Sequence, residues 1–148
     1  MLLLNLIVAG VLVALTCTTH FAGMVLLSAV LRQRGVHPVN LTSVFGQGLS
    51  ILFVVLSLFA LHSIQIWIYA FAYLALGQFD SIEPALYFST SAFTTVGFGD
   101  ILLSDDWRML GAAESANGFL LLGWSTAFLV AVTARVRAFE ADIERLDD

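Results

Sequence analysis

Apolar residues run along this chain in three long blocks, Leu2–Leu31, Phe45–Leu76 and Met109–Val136, each closed off by a short polar stretch. At about 1.5 Å per residue, each block as a helix is long enough to cross roughly 30 Å of hydrocarbon. The first block lacks a basic leader and is too long for the apolar region of a signal peptide, so it reads as a retained membrane helix. Arg32-Gln33-Arg34-Gly35-Val36-His37-Pro38 separates the first two blocks, and Arg135, Arg137 and Arg145 follow the third. Basic flanks favour the cytoplasmic side, which predicts an outside N-terminus, a cytoplasmic C-terminus, and a segment from Gly77 to Arg108 on the outside.

That outer segment is too apolar for a plain loop. Asp80-Ser81-Ile82-Glu83-Pro84 predicts a helix start. Asp80 or Ser81 would be the cap, with acids in the first turn, Glu83 in the capping-box position, and Pro84 where a missing N–H costs little. The helix, placed at 83–93, is too short to cross a bilayer, so it is expected to dip in and return. Irregular backbone at that depth is tolerated only inside protein or beside a water-filled path. The negative end of the helix dipole would then favour a cation at its C-terminus.

The stretch after that helix is Thr94-Thr95-Val96-Gly97-Phe98-Gly99-Asp100. Successive carbonyls of an extended strand point to opposite sides. To aim them at one axis, alternate residues must adopt conformations that side chains resist and glycine accepts, which suits Gly97 and Gly99. These seven residues resemble the selectivity-filter signature of the potassium-channel pore superfamily. The fragment Ala85–Thr95 aligns without gaps to that family's pore helix. Trp107-Arg108 resembles the start of its inner helix, and Glu114–Gly118 and Ser125–Phe128 are similar to inner helices of the inward-rectifier branch. The resemblance spans about Phe45–Arg137.

The resemblance implies an all-α membrane protein: three transmembrane helices plus a re-entrant pore helix and filter loop, assembled as a homotetramer. Its parts would be an added N-terminal helix (1–31), a cytoplasmic loop (32–44), a pore domain (45–137) and a short tail (138–148). Within the pore domain the outer helix is 45–76, the pore helix 83–93, the filter 94–100 and the inner helix 108–137. K⁺ would sit among carbonyls of Thr95, Val96, Gly97 and Phe98 and the Thr95 hydroxyl, with Gly99 completing the filter. The added helix carries no Arg or Lys between Leu2 and Leu31, so it is no voltage sensor.

Several residues depart from the family pattern. Phe98 stands where Tyr is commoner, which removes a hydroxyl that can brace the filter. Ser91 stands where Glu is frequent, and Tyr87, at a position often held by Trp, is placed to hydrogen-bond Asp100 instead. Glu114 is a carboxylate inside a membrane helix and by default a functional candidate. It is expected to support the filter by bonding the pore helix near Ser91, with water behind the filter or the membrane interface as alternative settings. Gly118 aligns with the inner-helix hinge, with bending or close helix approach as its reason, and Gly123 competes for that role. Thr126 matches a cavity-facing position, where it would hydrate an ion or bond its own backbone. Asp80, Glu83, Asp105 and Asp106 would concentrate cations at the outer mouth.

Hydrophobic residues make up 59% and charged residues 11% of the 148, which excludes a soluble domain. Cys17 has no disulfide partner and reads as packing. His20 and His62 lie within the first two spans. Counted from the inner helix ends, their depths differ by roughly 9 Å, poor for one haem and better suited to an interhelical hydrogen bond. Val136, Phe139, Ile143 and Leu146 have heptad spacing over barely two repeats. No catalytic motif is present, no nucleic-acid partner or cofactor beyond filter K⁺ is expected, and a chain ending at Asp148 suggests no cytoplasmic gating domain. The function expected is passive K⁺ conduction among membrane lipids, in a bacterial plasma membrane. The alternatives are a non-conducting scaffold or regulatory channel subunit and, behind it, a haem-bearing anchor.

Overall fold

A computed structural model describes residues 1–33 and 44–147, with side chains described for 1–32 and 46–134. Arg34, His37, the arginines from Arg135 onward and the Val136–Leu146 seam therefore lie outside the described side chains. Four helices follow one another: α1 (Leu2–Gln33), α2 (Val44–Ala75), α3 (Ile82–Phe93) and α4 (Arg108–Asp147). Among the described residues there is no strand, and α1, α2 and α4 are each long and apolar enough to cross a membrane. Helix ends fall within two residues of those read from the sequence, except that α4 continues without a break through the segment expected to be a separate tail.

α2 stops in a Schellman turn. Gly77, at φ 67°, follows the cap and donates to Leu74, while Gln78 donates to Tyr73. The Gln78 side chain then accepts from both the amide and the hydroxyl of Ser104, at 3.1 and 2.7 Å, and so ties the turn before α3 to the loop preceding α4. At the start of α3, Ser81 is the cap in extended geometry, with φ −148° and ψ 165°, and its hydroxyl makes no capping bond. Glu83 is thus the second helical residue, not the third, and the expected capping box does not form. The dipole argument for an acid in the first turn remains.

At 12 residues α3 is about 18 Å long, too short to traverse hydrocarbon. Ala85, Ser89, Ala92 and Phe93 form its buried face, turned against α2 and α4. α1 packs on α2 and α4. One apolar cluster gathers Ala9 and Leu12 of α1 with Tyr69, Tyr73, Phe93, Leu103, Trp107, Leu110 and Leu121 around the short helix. A second joins Met24 and Leu27 of α1 to Val54, Leu58 and Leu61 of α2 toward the other end.

Candidate functional site: the loop after the short helix

The loop after α3 has an alternating backbone. Thr95, Gly97 and Gly99 have φ of 61°, 58° and 75°, all left-handed, with Val96 and Phe98 between them on the ordinary side. Left-handed residues at every second position undo the strand's normal alternation, so successive carbonyls can share one side. Glycine explains two of these positions. The sequence reasoning missed the third: Thr95 is β-branched, and left-handed backbone costs such a residue of the order of 1–3 kcal/mol. Only firm anchoring on both sides keeps it there.

The anchoring comes largely from α3. The Thr95 amide donates to the Ala92 carbonyl at 3.0 Å and the Gly97 amide to the Ser91 carbonyl at 3.1 Å. The Phe98 amide donates to the Ser91 hydroxyl at 3.2 Å. Ser91 therefore braces the loop from its own backbone and side chain. Tyr87 donates its hydroxyl to Asp100 at 2.9 Å, and its ring lies near-parallel to Phe98 at 6.4 Å. The bond to Asp100, which favours the neutral phenol, holds the Tyr87 hydroxyl above its usual range. Beside the loop, a cleft of about 310 Å³ is lined by Tyr87, Ser91, Asp100, Gly111 and Ser115.

Glu114 meets α3, but not at Ser91. Its two oxygens lie 2.5 Å from the Tyr73 hydroxyl and 2.5 Å from the Ser89 hydroxyl, and the side chain is wholly buried. Ser89 lies on the buried face of α3, facing α4, whereas Ser91, two residues on, turns to the loop. The helical period decides which serine the carboxyl reaches. Tyr73 had no prior role in the sequence reading, and Ser89 had none beyond lying in an aligned fragment.

Gly118 is buried against the end of α3. A methyl group there would overlap the Phe93 carbonyl oxygen and come within 2.8 Å of its carbon. Close approach is therefore sufficient reason for this glycine. Gly123 has open space around it. Thr126 is exposed and donates to the Leu122 carbonyl at 2.9 Å, the back-bonding expected of a helical threonine. Asp80, Glu83, Asp100, Asp105 and Asp106 are all exposed at the end of the molecule that carries the loop. Asp105 is paired with Arg108.

Behind the loop a buried polar seam joins α1, α2 and α4. Asn117 donates to the Thr16 hydroxyl at 2.7 Å and to the Tyr69 hydroxyl at 3.1 Å, and Cys17 lies 3.6 Å from the Asn117 carbonyl oxygen. Further along, Gln65 bridges the histidines: its oxygen is 2.9 Å from His62 Nδ1 and its nitrogen 3.1 Å from His20 Nδ1. His62 Nε2 is 2.9 Å from the Ser125 hydroxyl.

The depth calculation for the two histidines is overturned, because their rings stack at 5.5 Å between centroids. Helices of 32 residues are about 48 Å long, so their ends project unequally and make poor rulers. Both ring nitrogens of His62 are engaged in hydrogen bonds between helices or along α2.

The family model described as "Ion channel" matches residues 58–135, more than half of the chain, from the middle of α2 through the loop and along α4. No curated protein and no solved structure matches this chain.

Proposed function

The chain belongs to this ion-channel family, the pore-domain superfamily, and from that premise we propose that it is a K⁺-selective channel subunit that conducts passively as a homotetramer. The observation that carries this reading is the alternation of left-handed backbone at Thr95, Gly97 and Gly99. Carbonyls of Thr95, Val96, Gly97 and Phe98 turned to one side, with the Thr95 hydroxyl, supply the oxygen ladder that replaces the water shell of a dehydrated K⁺. One such strand gives a quarter of a ring, and four copies about a fourfold axis close it.

Exposure supports the same reading. Val96 is 55% and Phe98 69% exposed in the single chain, in backbone without regular structure. At membrane depth such backbone needs protein on one side and a water-filled path on the other, which neighbouring copies would provide. α3 is then the re-entrant pore helix, α2 the outer helix and α4 the inner helix. Asp80, Glu83, Asp100, Asp105 and Asp106 draw cations to the mouth, and ions advance by mutual displacement. The basic flanks orient the chain with its N-terminus outside, and the family resemblance suggests a bacterial plasma membrane.

The test is K⁺ uptake into proteoliposomes by protein of measured oligomeric mass, with Na⁺ as control and barium as blocker. Barium-sensitive K⁺ uptake by a tetramer, without Na⁺ uptake, is the expected result. A tetramer that passes neither ion across a range of pH would instead be a non-conducting channel subunit.

A further inference from the structure

We propose that α1 is a positioning element for the loop between Phe93 and Asp106, which it holds at both ends. The proposal rests on reading residues 94–100 as the filter. At the exit of the loop, Asn5 is 98% buried and donates its side-chain amide to the Asp106 carbonyl, linking residues 101 apart in the chain. At the foot of the loop the hold passes through α4. The Thr16 hydroxyl donates its proton to the Leu12 carbonyl at 2.8 Å, which leaves its oxygen to accept from Asn117 at 2.7 Å. Asn117 immediately precedes Gly118, and Gly118 is the point at which α4 lies against the Phe93 carbonyl. Thr16 is therefore a single side chain away from the contact on which the loop begins.

Two features separate this from ordinary packing. Apolar contact gives a membrane helix little preference for protein over lipid, because lipid tails are as apolar as leucine. Hydrogen bonds from a buried amide are directional, and they fix the rotation and height of a helix. The polar side chains of α1 at these contacts, Asn5, Thr16 and His20, also fall on one helical stripe with buried Ala9 and Leu12. That stripe faces the loop exit, then Asn117, then the Gln65–His62–Ser125 chain, and the last repeats the hold on α4 two turns further along.

The test is hydrogen–deuterium exchange of the full-length protein in lipid nanodiscs, comparing wild type with Asn5→Leu, Thr16→Val and the conservative Thr16→Ser. The amides of Thr95, Gly97 and Phe98 are protected by bonds to Ala92 and Ser91 and report on the loop directly. In Asn5→Leu and Thr16→Val they are expected to exchange about fivefold faster, the factor that one ordinary hydrogen bond represents, while the middle of α2 is unchanged. Thr16→Ser keeps the accepting oxygen and should match wild type. Unchanged exchange over 94–106 in both variants would overturn the proposal, as would faster exchange spread evenly over α2 and α4. Should Thr16→Val fail to assemble, Asn5→Leu at the outer end of α1 decides alone. Exchange needs no current, so K⁺ uptake by the wild type judges the conduction reading separately.

Discussion

The two sides of α3 stand in contrast. On one side Ala85, Ser89, Ala92 and Phe93 are buried against α2 and α4, and Ser89 is bonded to the buried carboxyl of Glu114. On the other side Tyr87, Val96 and Phe98 stand exposed beside three left-handed residues. The first side is finished within one chain. The second is braced by α3 but uncovered. A single chain thus completes the scaffold and leaves the loop's other face uncovered, and on the proposed reading neighbouring copies would close it. The loop is braced by Ala92 and Ser91 of α3, and chemistry would come from its open face.

The largest expected effect is on the open side. Gly97→Ala and Gly99→Ala should each abolish K⁺ permeation, because a side chain strains the left-handed backbone that turns the carbonyls. Unchanged K⁺ uptake in both would break the comparison outright. Next comes the finished side. Gly118→Ala places a methyl on the Phe93 carbonyl and should cost about 1–3 kcal/mol, seen as a lower melting temperature of the assembly in detergent. A melting temperature equal to wild type would show that the helices part easily there.

Glu114 distinguishes two kinds of change. Glu114→Ala strands the buried Tyr73 hydroxyl, while Ser89 keeps its bond to the Ile66 carbonyl, and should destabilise by about 1–3 kcal/mol. Glu114→Gln keeps a polar group of the same shape and should alter single-channel open times more than the K⁺/Na⁺ ratio. A large change in that ratio with normal open times would move Glu114 from the scaffold to the ion path. The smallest effect is expected from Tyr87→Phe, which removes an exposed bond to Asp100 and keeps the ring beside Phe98. Open times should shift by less than about fivefold, with selectivity retained. Loss of selectivity would make this bond a part of the site itself.

Much of this was legible in the chain. Apolar block length gave the three long helices, and the Thr94–Asp100 pattern marked the loop, because glycine at alternate positions has a backbone reason. The Tyr87–Asp100 pairing was expected from the family resemblance, since Tyr87 stands at a position often held by Trp, and the bond is present. The left-handed Thr95 was not legible, because nothing in a threonine announces it and its neighbours impose it. Nor was the partner of Glu114, where a choice between Ser89 and Ser91 depends on the rotation of α3 against α4. The role of α1 was hidden by its composition. Its hydrophobicity reads as lipid-facing, yet Asn5, Thr16 and His20 recur on one stripe, as do His62, Gln65, Tyr69 and Tyr73 on α2. In a membrane protein the inward face is marked by its polar residues, and periodicity taken on those, not on the apolar ones, was the signal available.

The central claim, that the alternating backbone at Thr95–Gly99 selects K⁺, is tested most directly by the reversal potential of single-channel currents with K⁺ on one side of a bilayer and Na⁺ on the other. The account predicts a reversal far toward the K⁺ equilibrium potential, abolished with the current itself in Gly97→Ala. A reversal near zero, with Na⁺ carried as readily as K⁺, would contradict it.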